Sequence, residues 1–225
     1  MFRIKICGIT RPEDAILAAD AGADAIGLNF FAKSPRFLQR PAAEQIVAAV
    51  GNRLVKVGVF VNATCEEIVE SSEALGLDLV QLHGDEPPEL LQSLGGLPVI
   101  RAFRCGPAGL TPISAYLEAC RVLGCPPRLV LIDSFQPGSY GGTGDKAPWN
   151  SVAQYRELRF PYPLVLAGGL TPVNVAEAIE RVRPAAVDVA SGVESSPGIK
   201  DAKLVRDFVT QATQQFAAAF PEPPM

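Results

Sequence analysis

Two apolar runs in this chain end on a side chain that can exchange a proton. Phe2-Arg3-Ile4-Lys5-Ile6-Cys7-Gly8 puts Cys7 at the tip of the first, and Leu129-Val130-Leu131-Ile132-Asp133 puts Asp133 at the tip of a later one. In one parallel barrel the two groups would face each other across the rim where the strands end. A thiolate and a carboxylic acid so placed could serve as general base and general acid, the chemistry of a proton-shuttling isomerase. Each residue also has a plainer reading. Free cysteine packs as a small hydrophobe, and aspartate caps the turn that follows a strand. A cysteine base must be a thiolate, so its pKa has to be depressed by positive potential, for which Lys5, two residues back on the same strand face, is the predicted source. Asp133 needs the opposite, a pKa raised by burial or by nearby negative charge.

Other residues stand at comparable positions. Asp188 lies between valines in Ala186-Val187-Asp188-Val189-Ala190, placed to bond a substrate hydroxyl or to serve the structure alone. Gly168-Gly169 precedes Thr171-Pro172, and Ser191-Gly192 follows the eighth run. Backbone N–H groups exposed at helix starts bind anions, so both glycine loops read as a phosphate site, with simple tight turns as the alternative. Arg36, in Lys33-Ser34-Pro35-Arg36, is either solvated or a fork for a carboxylate. His83 is the single histidine. It excludes multi-histidine metal sites and would have to serve any Ser-His-Asp triad; a hydrogen-bonded structural role is the alternative. No metal site is expected. The glycine-rich stretch 136–144, which contains Gly142, is not a phosphate-binding P-loop, because Asp145-Lys146 follows Gly144. It reads as a mobile lid or a long structural loop.

The elements that must position these groups follow from hydrophobic pattern. The chain has 225 residues, 48% of them apolar, enough for one domain with a sizeable core. Eight short apolar runs alternate with helical patterns from end to end, in units of about 28 residues. Near-continuous apolar strands imply a sheet covered on both faces, hence parallel. Eight such units predict a single-domain α/β TIM barrel over residues 1–219, with 220–225 as a flexible tail; a doubly wound open sheet is the alternative. Thr10 with Glu13, and Thr64 with Glu67, predict capping boxes. Helices are expected to open at Thr171-Pro172, reaching about residue 182, and to fill 201–219. The net charge of −4 with no basic stripe argues against nucleic acid. No apolar run reaches the roughly 18 residues of a membrane span. Five cysteines at scattered spacing do not form a disulfide framework. With no basic-then-apolar leader, the chain reads as soluble and cytoplasmic.

Eight segments, in order, resemble the phosphoribosylanthranilate isomerase family of tryptophan biosynthesis. They are Lys5-Ile6-Cys7-Gly8-Ile9-Thr10, Lys33-Ser34-Pro35-Arg36, Gly58-Val59-Phe60-Val61-Asn62, Gln81-Leu82-His83-Gly84, Ile132-Asp133, Gly141-Gly142-Thr143-Gly144, Leu166-Ala167-Gly168-Gly169-Leu170 and Asp188-Val189-Ala190-Ser191-Gly192-Val193-Glu194. The resemblance implies a TIM barrel that works without a cofactor. It implies an Amadori rearrangement of a phosphoribosylamine, with Cys7 as base and Asp133 as acid. Arg36 would hold the anthranilate carboxylate and Asp188 would contact the sugar. Gly142, Gly168, Gly169, Ser191 and Gly192 would surround the phosphate. The family contains monomers and homodimers, and its partner is a small phosphosugar-anthranilate substrate. The related Amadori isomerase of histidine biosynthesis uses two aspartates, which the cysteine ending the first strand argues against. A catalytically silent phosphosugar-binding barrel would keep the glycine loops without needing Cys7 and Asp133 together.

Overall fold

Inside the barrel, side chains meet from strands far apart in sequence, and register decides which. The computed structural model describes residues 2–106, 108–134 and 149–220. Eight strands form the wall: β1 (Ile4–Cys7), β2 (Ala25–Asn29), β3 (Val55–Phe60), β4 (Leu79–Leu82), β5 (Val99–Cys105), β6 (Leu129–Ser134), β7 (Leu164–Leu166) and β8 (Ala186–Val189). All neighbours are parallel, in chain order, and β1 pairs with β8 to close the ring. The helices between them are α1 (Pro12–Ala21), α2 (Arg40–Val50), α3 (Cys65–Leu75), α4 (Pro88–Ser93), α5 (Thr111–Val122), α6 (Trp149–Val152, continued by a 3₁₀ stretch to Leu158), α7 (Val175–Val182) and α8 (Ala202–Ala219). A small antiparallel hairpin, β9 (Glu194–Ser196) and β10 (Ile199–Lys200), lies between β8 and α8. The open-sheet alternative is excluded by closure. Among the described residues no helix is long and apolar enough to cross a membrane.

Alternation along each strand sorts the residues. Ile4, Ile6, Ile26, Leu28, Val130, Ile132, Val187 and Val189 pack outward with the helices. Ala25, Val57, Ile100, Ala102, Leu129, Leu131, Val165, Ala167 and Ala186 form the inner core, with Phe2 among them. The same period therefore turns Lys5, Cys7, Asp133 and Asp188 inward, each two residues from an inner neighbour or directly beside one in register. Lys5 is level with Ala25 on one side and Asp188 on the other.

Thr64 and Glu67 form the expected capping box at α3. Thr10 and Glu13 do not form one. The N-cap of α1 is Arg11, without a side-chain cap bond. The Thr10 hydroxyl instead donates to the Gly198 carbonyl, and Arg11 pairs with Asp14. Asp14 also accepts from the Lys200 amide, so the first turn of α1 is spent on holding the hairpin. The helix after Gly169 begins later than Thr171-Pro172. A turn over 172–174, closed by Asn174, precedes α7. At the end of α8, Phe220 lies against Phe216 and under the Arg183 guanidinium; 221–225 fall outside the described residues.

Candidate active site

The C-terminal ends of the strands bring together most of the residues singled out above. Cys7 is the last residue of β1 and is half-buried; Asp133, near the end of β6, is 4% exposed. Going round the ring through β8 and β7, three steps separate β1 from β6, so the two groups approach the mouth from different sides of the wall.

Lys5 is completely buried beneath Cys7. A methyl group on Gly27 would stand 2.6 Å from Cys7 Sγ and 3.0 Å from Lys5 Nζ, so both heads share the space over that glycine. Lys5 Nζ also donates to Asp188 Oδ1 at 2.9 Å. Burial alone would lower the Lys5 pKa, but Asp188 and Cys7 outweigh it and hold the ammonium above the ordinary lysine value. The expected depression of Cys7 does not occur. Burial pushes its thiol up, the Asp188 carboxylate pushes it further, and the opposing pull of Lys5 and Lys200 is too small to reverse them. The sequence shows the lysine beside the cysteine; it does not show that Asp188 has already claimed the lysine's charge.

His83 follows β4, with Nε2 3.4 Å from Asp133 Oδ2. Its Nδ1 lies 3.0 Å from the Gln81 amide nitrogen. The loop carrying His83 is braced from behind. Glu86 accepts from the Gly84 and Asn62 amides and pairs with buried Arg101, whose guanidinium donates to the carbonyls of Leu82, Ala102 and Gly84.

Arg36 is nearly buried, with its guanidinium on Glu194. Gly168 and Gly169 follow β7 with φ of 88° and 62°. Ser191 and Gly192 open a 3₁₀ turn, Ser191–Val193, after β8. A side chain at Gly192 would collide with the Leu170 carbonyl oxygen, so the two glycine loops touch through bare backbone. The Thr171 amide is taken by Asn174 Oδ1, and Asn174 Nδ2 donates to the Gly169 carbonyl, which fixes the first of those loops. Gly142 and the expected lid lie outside the described residues.

Residues 4–211 match the family described as N-(5'-phosphoribosyl)anthranilate (PRA) isomerase. The chain belongs to that family. It is 47% identical over 211 residues to the N-(5'-phosphoribosyl)anthranilate isomerase of Myxococcus xanthus, an alignment covering 93% of this chain and 95% of that protein. The crystal structure of the phosphoribosyl anthranilate isomerase of Thermotoga maritima superposes with a TM-score of 0.83 at 37% identity, covering 95% of this chain and all of that one. A phosphoribosyl anthranilate isomerase in complex with reduced 1-(o-carboxyphenylamino)-1-deoxyribulose 5-phosphate gives a TM-score of 0.79 at 36% identity over the same shares.

Several residues around this site escape sequence reasoning. Glu194 and Lys200 show no local period, and besides each other their partners, Arg36 and the Cys7 carbonyl, come from distant segments. Gln81 and Arg101 do carry one: each is a polar residue inside an apolar strand run, Leu79-Val80-Gln81-Leu82 and Val99-Ile100-Arg101-Ala102-Phe103, and such residues are buried only with partners.

Proposed function

We propose that Cys7 is the general base and Asp133 the general acid of the family's reaction in this chain. That reaction converts N-(5'-phosphoribosyl)anthranilate to 1-(2-carboxyphenylamino)-1-deoxyribulose 5-phosphate, within tryptophan biosynthesis. The observation that carries the assignment is the placement of both residues at strand ends on the inner face of the barrel, where enzymes of this fold work. Asp133 protonates the furanose ring oxygen, and the ring opens to an iminium ion. The cation acidifies the C2 proton, which Cys7 removes to give an enolamine that tautomerises to the ketone. The raised thiol pKa fits this order of events. In the free protein the thiol keeps its proton, and a positive iminium beside it favours the thiolate when the base is needed.

Arg36 serves the anthranilate carboxylate. Asp188, with Oδ1 on Lys5, offers its other oxygen to a sugar hydroxyl. Gly168, Gly169, Ser191 and Gly192 receive the phosphate on backbone N–H groups, and the contact between the two glycine loops supports one shared anion seat. All five cysteines are free, as a reducing cytoplasm would keep them.

Loss of phosphoribosylanthranilate fluorescence tests the assignment, using wild type, Cys7→Ser and Asp133→Asn, each checked for folding. Each acid–base step contributes about 10²–10⁴-fold, so kcat should fall by that order in both variants with a much smaller change in KM. Near-normal kcat in either folded variant removes that residue from its role. A folded wild type that binds substrate without turning it over restores the silent barrel.

A further inference from the structure

Arg36 reaches the mouth with one edge of its guanidinium already occupied. Nε donates to Glu194 Oε1 at 2.8 Å and Nη2 to Glu194 Oε2 at 2.7 Å. The guanidinium has five N–H donors in a planar fork. This bidentate grip uses the Nε–Nη2 edge and leaves the Nη1–Nη2 edge, which can take a second carboxylate in the same manner. The aliphatic shaft is fixed as well. It crosses directly over Gly8, whose φ is +72° and where any side chain would strike Arg36 Cδ.

Glu194 is held in turn. The Lys200 side chain is fully buried, and its Nζ lies 2.8 Å from Glu194 Oε1, 2.6 Å from the Cys7 carbonyl oxygen and 3.1 Å from the Ala190 carbonyl oxygen. All three ammonium hydrogens are thereby used. Arg36 and Lys200 both face this one carboxylate, although burial holds the Lys200 pKa below the ordinary lysine value. Burial would raise the Glu194 pKa, but Arg36 and Lys200 outweigh it and keep the group ionised below the ordinary glutamate range. A substrate carboxylate that displaced Glu194 would leave Lys200 charged, buried and short of a partner, a costly arrangement. The free edge of the fork is the cheaper seat.

We infer that Glu194, held by Lys200, is a positioning residue that fixes Arg36 with its outer edge toward the substrate carboxylate, and so sets the preference for a carboxylated aromatic amine. This rests on Arg36 being the carboxylate's partner. The hairpin is then part of specificity: β9 supplies the carboxylate that aims Arg36, and β10 supplies the lysine that holds it.

The test compares two probes, reduced 1-(o-carboxyphenylamino)-1-deoxyribulose 5-phosphate and its phenylamino counterpart lacking the carboxylate. Their affinities are measured by calorimetry for wild type, Arg36→Met, Glu194→Gln and Glu194→Asp, alongside KM and kcat for substrate. Charge-assisted hydrogen bonds are the ones at stake, so Glu194→Gln should lower the preference for the carboxylated probe about tenfold or more. Affinity for the other probe should stay within about twofold, and the loss should fall on KM rather than kcat. Glu194→Asp keeps the charge one methylene short and should fall between; it carries the test if the glutamine variant does not fold. If Arg36→Met erases the preference while the Glu194 variants keep or strengthen it, Glu194 is a bystander or a competitor and the inference is overturned. If Arg36→Met itself leaves the preference intact, the assignment of Arg36 to the carboxylate has failed instead.

Discussion

Lys5 Nζ and Asp188 Oδ1 lie 2.9 Å apart inside the barrel, directly below the half-buried thiol of Cys7, and the lysine side chain has no exposure at all. Breaking a buried pair from one side strands the other charge, at a cost of about 3–5 kcal/mol. Lys5→Met should therefore lower stability by that order in urea unfolding. Lys5→Met with Asp188→Asn should recover most of it, because the stranded carboxylate is gone. A double variant no more stable than the single would show that the pair is not what couples these positions.

The same carboxylate sets the pH behaviour of Cys7. Burial and Asp188 hold the thiol above its ordinary value, so the thiolate fraction of the free enzyme grows only at pH above that at which an ordinary cysteine ionises. The rate constant kcat/KM should show an ascending limb in that alkaline range. Asp188→Asn removes one of the two raising influences and leaves Lys5 in place, so the limb should move to lower pH. A limb unmoved by Asp188→Asn, or one already complete below neutrality in wild type, would contradict the electrostatics described.

His83 Nε2 faces the carboxylate of Asp133 at 3.4 Å, and its Nδ1 lies against the Gln81 amide. Its replacement by asparagine removes the nitrogen facing Asp133 without adding a charge. Asp133 would then meet the ring oxygen in a less fixed orientation. Steady-state kinetics should show kcat reduced about tenfold with KM nearly unchanged. A change confined to KM would assign His83 to binding.

Gly192 touches the backbone of the other glycine loop, with no space for a side chain. Gly192→Ala must push the loops apart, costing about 1–3 kcal/mol by overpacking. Inorganic phosphate should inhibit wild type competitively and this variant about tenfold more weakly, an effect in line with one or two lost charge-assisted bonds. Equal inhibition would place the phosphate elsewhere.

The strands, the closure of the ring and the α3 capping box are legible in sequence because each is written in local alternation or in a four-residue motif. The inward direction of Cys7, Asp133 and Asp188 follows from that alternation too. The Thr10 box fails because its hydroxyl finds Gly198, which the local motif cannot anticipate. The hairpin is invisible for a related reason: strands of three and two residues, mostly polar, show no period. The ion pairs that decide electrostatics are the least legible. Lys5 and Asp188 are 183 residues apart, and Arg36 and Glu194 are 158 apart, so a charge that reads as free in its own segment is already spent.

Lys200 donates to the carbonyl of Cys7 across 193 residues of chain, while β8 completes its pairing with β1 alongside. During synthesis, then, the tip of the first strand waits for a segment 193 residues further along the chain to emerge before its backbone acceptor is filled. Turnover by a growing chain would report that these two segments have met.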